Sequence, residues 1–432
     1  MNRDQARSLI SETLTQAFNK SRFLNLTRNL VNHLDESKPF VRNAQYVKDA
    51  FKGHVNRFER LGTYTSPNND KLDVLIVYLT EERKLERART AIRNFVADHL
   101  KMRDEKDAAL VAFVSPTEKQ WRFSYIKMEY AAVEQVSGAV GVETRLTPAR
   151  RFSYIVGEGE SCHTAQARFV NLLQDTATDP SLADIEEAFS VEAVTDEFFK
   201  KYAALFSEIH KALEKLIAED KTIRDEFNQK NVNPVEFAKK LMGQIVFLYF
   251  LQKKGWLGVS KGQDWGTGPH DFLRKLASGD YGKYDNFFND ILEPLFYNTL
   301  ATDRGHEAWC NRFKSRIPFL NGGLFEPLGD YGWRKTDIAL PNELFTNSEF
   351  FDEGIQGTGI LDTFDRYNFT VNEAEPLEKE IAIDPEMLGK VFENLIEENR
   401  RKGLGAYYTP REIVHYMCQQ CLINYLDIAL NR

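Results

Sequence analysis

An α+β protein is what this sequence predicts, on three observations. Between residues 58 and 156, short runs rich in Val, Ile, Leu and Phe surround one helical pattern and are punctuated by turn residues. From about 180 to 300 the apolar spacing becomes that of helices, with many aromatic side chains. Near the C-terminal end, Thr409-Pro410-Arg411-Glu412 opens another apolar-periodic segment in the manner of a capped helix.

Taken in order, residues 1–40 predict two amphipathic helices, the first carrying Leu9, Ile10, Leu14 and Phe18, the second Phe23, Leu24, Leu30 and Val31. Phe58 to Ser66 and Leu72 to Leu79 predict a hairpin across Pro67-Asn68-Asn69-Asp70. A helix follows from about Arg83 to Leu100, then strands at Ala108–Val114, Trp121–Met128 and Arg151–Val156. Residues 1–180 thus read as a small α/β domain. Residues 181–300 read as a helical connector. One helix runs from Asp196 to about Phe227, and a second starts at Asn233-Pro234-Val235-Glu236 and stops at Gly255, a residue suited to the position after a helix. Aromatic residues at such spacing are core formers. Residues 301–403 mix loop and helix: Arg316–Glu326 carries the paired Gly322 and Gly323, and Asp384-Pro385-Glu386 caps a helix with Leu388, Val391, Phe392, Leu395 and Ile396 on one face. In 404–432, the spacing of Ile413, Val414, Met417, Cys418, Cys421, Leu422 and Tyr425 predicts a helix with one buried face.

The chain has 432 residues, 42% hydrophobic and 28% charged, enough for two or three domains. No apolar run approaches the ~18 residues of a membrane span, and Met1-Asn2-Arg3-Asp4-Gln5 does not open a signal peptide. A soluble, cytoplasmic protein is expected. Four cysteines are too few for a disulfide framework. Cys418 and Cys421 form a single C-x-x-C with no second pair, which helical spacing explains as two thiols on the buried face; no metal site is expected.

A net charge of −8 argues against coating DNA unaided, but residues 1–180 hold 27 Lys and Arg against 23 Asp and Glu, whereas the remainder holds 29 against 41. Phosphate contacts are therefore expected in the N-terminal part. The best candidates are Lys84, Arg87, Arg89 and Arg93, which share one helix; the competing reading is a sheet-packed helix with a solvated outer side. The layout of 1–180 resembles, at fold level only, the nuclease core that carries a PD-(D/E)xK site, where two acids hold Mg²⁺ near a lysine. Asp73 stands at a strand start, as the first acid should. Glu82-Arg83-Lys84 opens a helix instead of lying on a strand, and Glu118-Lys119 lacks the intervening residue. These charges read better as solvated ends of elements, and an active nuclease is not expected.

The C-terminal motif carries the chemistry. Gly405-Ala406-Tyr407-Tyr408-Thr409-Pro410 resembles the Gly-x-Tyr-Tyr-Thr-Pro loop of adenine-specific N6 DNA methyltransferases. In that family the loop opens the catalytic domain and holds the methionine end of S-adenosylmethionine. The resemblance implies that Gly405, Tyr407, Tyr408, Thr409 and Pro410 belong to a cofactor pocket, with a helix N-terminus to attract an anion. Upstream, Phe319-Leu320-Asn321-Gly322-Gly323-Leu324-Phe325-Glu326 and Leu388-Gly389-Lys390-Val391-Phe392-Glu393-Asn394-Leu395 are similar to the region ahead of the methyltransferase domain in type IIG restriction–modification enzymes.

Two motifs of a working adenine methyltransferase are missing: the Asp/Glu-x-x-x-Gly-x-Gly turn of the adenosine pocket, and the Asn/Asp-Pro-Pro-Tyr/Phe loop that holds a flipped adenine. Gly357-Thr358-Gly359 follows acidic, non-strand residues and reads as a loop turn. The expectation is therefore the N-terminal portion of a site-specific DNA adenine N6-methyltransferase from a restriction–modification, phage-defence system. Residues 404–432 would be the incomplete start of its methyltransferase domain, completed by a missing C-terminal part or a separate chain and acting on double-stranded DNA. No catalytic residue is assigned within the chain, which alone should not methylate DNA. Two alternatives remain: a Mg²⁺-dependent endonuclease half in residues 1–180, and a non-catalytic DNA-binding or assembly module for a separate methyltransferase.

Overall fold

The computed structural model describes residues 1–80, 89–102, 106–128, 133–134, 140–141, 149–320, 323–351, 355–371, 377–386, 389, 409 and 411–430. Two compact units emerge, Met1–Ala382 and Ile383–Arg432, and the fold is α+β as the sequence predicts.

The first unit is built on a seven-stranded mixed sheet. Its strands are β1 (Phe40–Asn43), β2 (Val55–Thr65), β3 (Lys71–Leu79), β4 (Ala108–Val114), β5 (Gln120–Lys127), β6 (Arg150–Gly157) and β7 (Glu378–Glu380), neighbours in that order. The β2–β3 hairpin is the one expected across Pro67–Asp70, with Thr63 opposite Asp73. Gly62 sits at a register shift in β2, where a Cβ would lie 2.8 Å from the Asp35 carbonyl oxygen. The pairs β3–β4 and β6–β7 are parallel; the other neighbours are antiparallel. A parallel pair needs a crossover, and helix Arg89–Met102 lies between β3 and β4 in the chain.

Strand alternation gives the sheet two different faces. Trp121, Phe123, Tyr125 and Tyr154 point to one. There they meet Phe18, which lies in the chain between helices α1 (Arg3–Leu14) and α2 (Lys20–Val31), Phe23 of α2, and Phe169 of the His163–Gln174 helix. The opposite face carries Leu75, Val77, Ala109, Val111, Phe113 and Ile126, covered by Ile92, Phe95, Val96 and Leu100 of Arg89–Met102, designated α3. Towards β5, β6 and β7 this second face turns polar.

Two strands of this sheet escaped the sequence pattern. β1 has four residues and β7 three, and the Glu-Lys-Glu of β7 carries no apolar alternation. The expected single helix across Asp196–Phe227 is two, Val191–Glu219 and Lys221–Gln229. Asp220 adopts extended backbone between them and accepts hydrogen bonds from the Thr222 and Ile223 amides, a cap that competes with helix continuation. The Pro234–Lys253 helix starts as expected: Asn233 accepts from the amides of Val235 and Glu236. Gly255 follows it at φ +66°, the left-handed position anticipated. The aromatic residues of the 181–300 helices contribute to the core, as read: Phe198 and Tyr249 pack with Phe364 around Phe369. Residues Phe288–Leu292 and Pro294–Leu300 wind as π-helix, with buried Glu293 between them accepting a 2.5 Å hydrogen bond from the Tyr331 hydroxyl.

In the second unit, helix Arg411–Leu430 is present as predicted, but its expected buried face is not. Ile413, Val414, Met417, Leu422 and Tyr425 are 44–70% exposed, and Cys418 and Cys421 are exposed too. Helical spacing specifies which residues share a face; it does not supply the surface that covers them. Most of the helix predicted to start at Asp384-Pro385-Glu386, including Leu388, Val391, Phe392, Leu395 and Ile396, lies outside the described residues.

Candidate functional site

Of the cofactor-loop residues, Gly405, Tyr407, Tyr408 and Pro410 lie outside the described residues, while Thr409 is exposed and stands two positions before Arg411, where the Arg411–Leu430 helix begins. The expected helix therefore follows the motif. Its free N–H groups and dipole end make the first turn attractive to an anion, worth ~0.3–1 kcal/mol.

The candidate phosphate contacts divide similarly. Lys84 and Arg87, with Glu82-Arg83-Lys84, lie outside the described residues. Arg89 and Arg93 of α3 are turned towards the polar end of the sheet: Arg89 Nε is 3.6 Å and Arg93 Nη1 3.2 Å from the Glu378 carboxylate. Glu378 also accepts a 3.0 Å hydrogen bond from Arg151 Nη2 and is 1% exposed. Register explains the meeting, because Glu378 on β7 is directly beside Arg151 on β6. Two residues on, Glu380 accepts from Arg122 Nη1 at 3.3 Å. Desolvation pushes the Glu380 carboxyl up, but the Arg122 charge and a hydrogen bond from Thr370 more than offset this and hold it below the ordinary range. Between Arg122 and Arg151, the hydroxyls of the directly paired Ser124 and Ser153 are 2.7 Å apart. Sequence reasoning passed over Arg122, Arg151, Glu378 and Glu380. A signal existed in arginines inside otherwise apolar strands, although their partners were more than 220 residues away.

Asp73, the nuclease candidate, is fully buried. Its carboxylate accepts from the Thr63 hydroxyl at 2.7 Å, meets His99 Nε2 at 3.2 Å, and has Arg60 Nη1 at 3.8 Å. Burial pushes the Asp73 acid up, but the hydrogen bonds of His99 and Thr63 and the charges of His99 and Arg60 outweigh it and hold the group low. All this ties β2, β3 and α3 together. Glu118-Lys119 is a surface feature; Lys119 pairs with Glu158 at 2.6 Å. Among the described residues no group of three or more His, Cys, Asp or Glu could hold a metal ion. Asp73→Asn should therefore act on stability, costing ~3 kcal/mol or more by stranding buried partners. Because the native carboxyl is held low, its contribution is present above the ordinary carboxylate range and lost as pH falls through the native value. Acid unfolding of both proteins measures this; overlapping profiles would contradict it.

No helix among the described residues is long and apolar enough to cross a membrane. No family model matches the chain, and no solved structure matches it. A similar protein is known from Methanocaldococcus jannaschii, named "Putative type II restriction enzyme and methyltransferase RM.MjaORFECS2P". The two are 31% identical over 254 residues, covering 54% of this chain and 19% of the relative. This chain is thus similar to one segment of a much longer protein whose name joins restriction and methyl transfer.

Proposed function

We propose that this chain is part of a restriction–modification enzyme whose parent reaction transfers a methyl group from S-adenosylmethionine to N6 of a target adenine in double-stranded DNA. The observation that carries the enzyme class is the 31% identity to the M. jannaschii protein. Adenine specificity rests on the Gly405–Pro410 motif with a helix directly behind it. In this reading Gly405, Tyr407, Tyr408, Thr409 and Pro410 hold the methionine end of the cofactor, and the helix end faces its carboxylate. The type IIG arrangement and the phage-defence role are part of the proposal. The sequence contains no Asn-Pro-Pro-Tyr or Asp-Pro-Pro-Tyr, so the adenine-holding loop comes from another polypeptide segment. The exposed apolar residues of Arg411–Leu430 offer that segment a surface to pack on.

The test is methyl transfer from labelled S-adenosylmethionine to unmodified duplex DNA, by this protein alone and with a polypeptide carrying the glycine turn and Asn-Pro-Pro-Tyr loop. Label should appear at adenine N6 only in the combined sample. Tyr408→Ala should lower the rate roughly tenfold, as loss of an aromatic contact and its buried area implies. Label on cytosine, or a rate indifferent to Tyr408→Ala, would overturn the reading.

A further inference from the structure

We propose that the polar end of the sheet is an internal binding site for one dianionic phosphate group, held by Arg122 and Arg151 with Arg89 and Arg93 behind them. The first ground is charge. Among the described residues the cluster sets four guanidinium groups, Arg89, Arg93, Arg122 and Arg151, against two carboxylates, Glu378 and Glu380. Two positive charges are left over in a place where burial makes uncompensated charge costly.

The second ground is hydrogen bonding. Arg122 is 1% and Arg151 2% exposed, yet Nε and Nη2 of Arg122 and Nη1 of Arg151 have no hydrogen-bond partner among the described residues. Buried donors are nearly always satisfied, and a guanidinium fork matches a tetrahedral oxyanion. Both arginines stand on the same face of the sheet, since Arg151 is opposite Ile126, four residues along β5 from Arg122. The Ser124–Ser153 pair lies between them, and a mutual hydrogen bond consumes only one of its two hydroxyl protons. Consistent with crowded positive charge, desolvation and then the neighbouring Arg122 push the Arg151 guanidinium down to about 9.

The occupant follows from the same arithmetic. A dianion cancels the surplus, whereas chloride or a carboxylate leaves one charge over. A phosphodiester carries one charge per group, and its flanking sugars would have to follow it to side chains 1–2% exposed. The ligand is therefore inorganic phosphate or a terminal phosphomonoester, such as the 5′ end of a nucleic acid strand.

Thermal unfolding of the full chain, titrated with inorganic phosphate against sodium chloride at equal ionic strength, tests this. Phosphate should give a saturable rise of ~3 °C or more beyond chloride. Arg122→Met should abolish that excess. Should this variant not fold, Ser124→Ala, which retains every guanidinium, should weaken it several-fold. A short duplex bearing 5′-phosphate that stabilises, where its 5′-hydroxyl counterpart does not, identifies a nucleic-acid end; a response confined to the free ion identifies free phosphate. Equal effects of phosphate and chloride, or an undiminished phosphate response in the folded variants, would overturn the proposal.

Discussion

Glu378→Ala should destabilise the Met1–Ala382 unit by about 3–5 kcal/mol, the usual consequence of removing one partner from a buried ion pair. Few single positions in the chain hold so much together. Glu378 takes Arg151 from β6, and Arg89 and Arg93 from α3, at 3.0–3.6 Å, and its own strand forms the sheet edge through pairing with β6. Without it, three guanidiniums face one another in a region of low dielectric. Glu378→Gln, which keeps the shape, should be nearly as damaging, because the charge is what those arginines require. Urea unfolding followed by tryptophan fluorescence measures both variants, with buried Trp121 of β5 as a native reporter. A loss below ~1 kcal/mol for the alanine variant would mean that the cluster contributes no more than an exposed pair. The substitution also raises the surplus positive charge, so phosphate should restore part of the lost stability.

How much of this was legible in the sequence differs by element, for physical reasons. The β2–β3 hairpin, strands β4 to β6 and the Asn233 cap could be read because local pattern and turn chemistry fix them. β7 could not, since Glu378-Lys379-Glu380 becomes strand through pairing with a segment more than two hundred residues earlier. The same distance hid the site. Arg89 and Arg93 look like one side of a basic helix until the fold supplies Glu378, and only then does their attachment to the interior appear. Asp73 shows the opposite case: its place at a strand start was legible, but its partners His99, Arg60 and Thr63 make it a tie between elements. At the Arg411–Leu430 helix, periodicity described the side chains correctly and the environment wrongly. The pattern records where an apolar face lies, and the exposure of Met417 and Leu422 shows that a face and its cover are specified separately.

Between pH 5 and pH 9 this protein should lose several kcal/mol of stability that Glu293→Gln does not lose. Burial drives the Glu293 carboxyl up to about 8, against the opposing pull of the Tyr331 hydrogen bond, and the Asp337 charge adds to the rise. An unfolded glutamate titrates near 4.5. Below that value both states carry the proton and the site is neutral in either. As pH rises, the unfolded chain releases its proton while the native side chain keeps it, so the native state binds more protons and becomes progressively less stable. Each pH unit in this window costs ~1.4 kcal/mol, and the loss levels off above about 8, once the native carboxyl also ionises. Glutamine has no proton to release, and its carbonyl can accept the Tyr331 hydroxyl as Glu293 Oε1 does. The two proteins should therefore have similar melting temperatures at pH 5, with the variant well above wild type at pH 9; other titrating groups cancel in the comparison. Tyr331→Phe removes the one hydrogen bond that favours the charged form, so it should carry the levelling-off to higher pH. Parallel melting profiles for wild type and Glu293→Gln across this range would show that Glu293 reaches water in the folded protein, with the π-helical segment around it open instead of sealed.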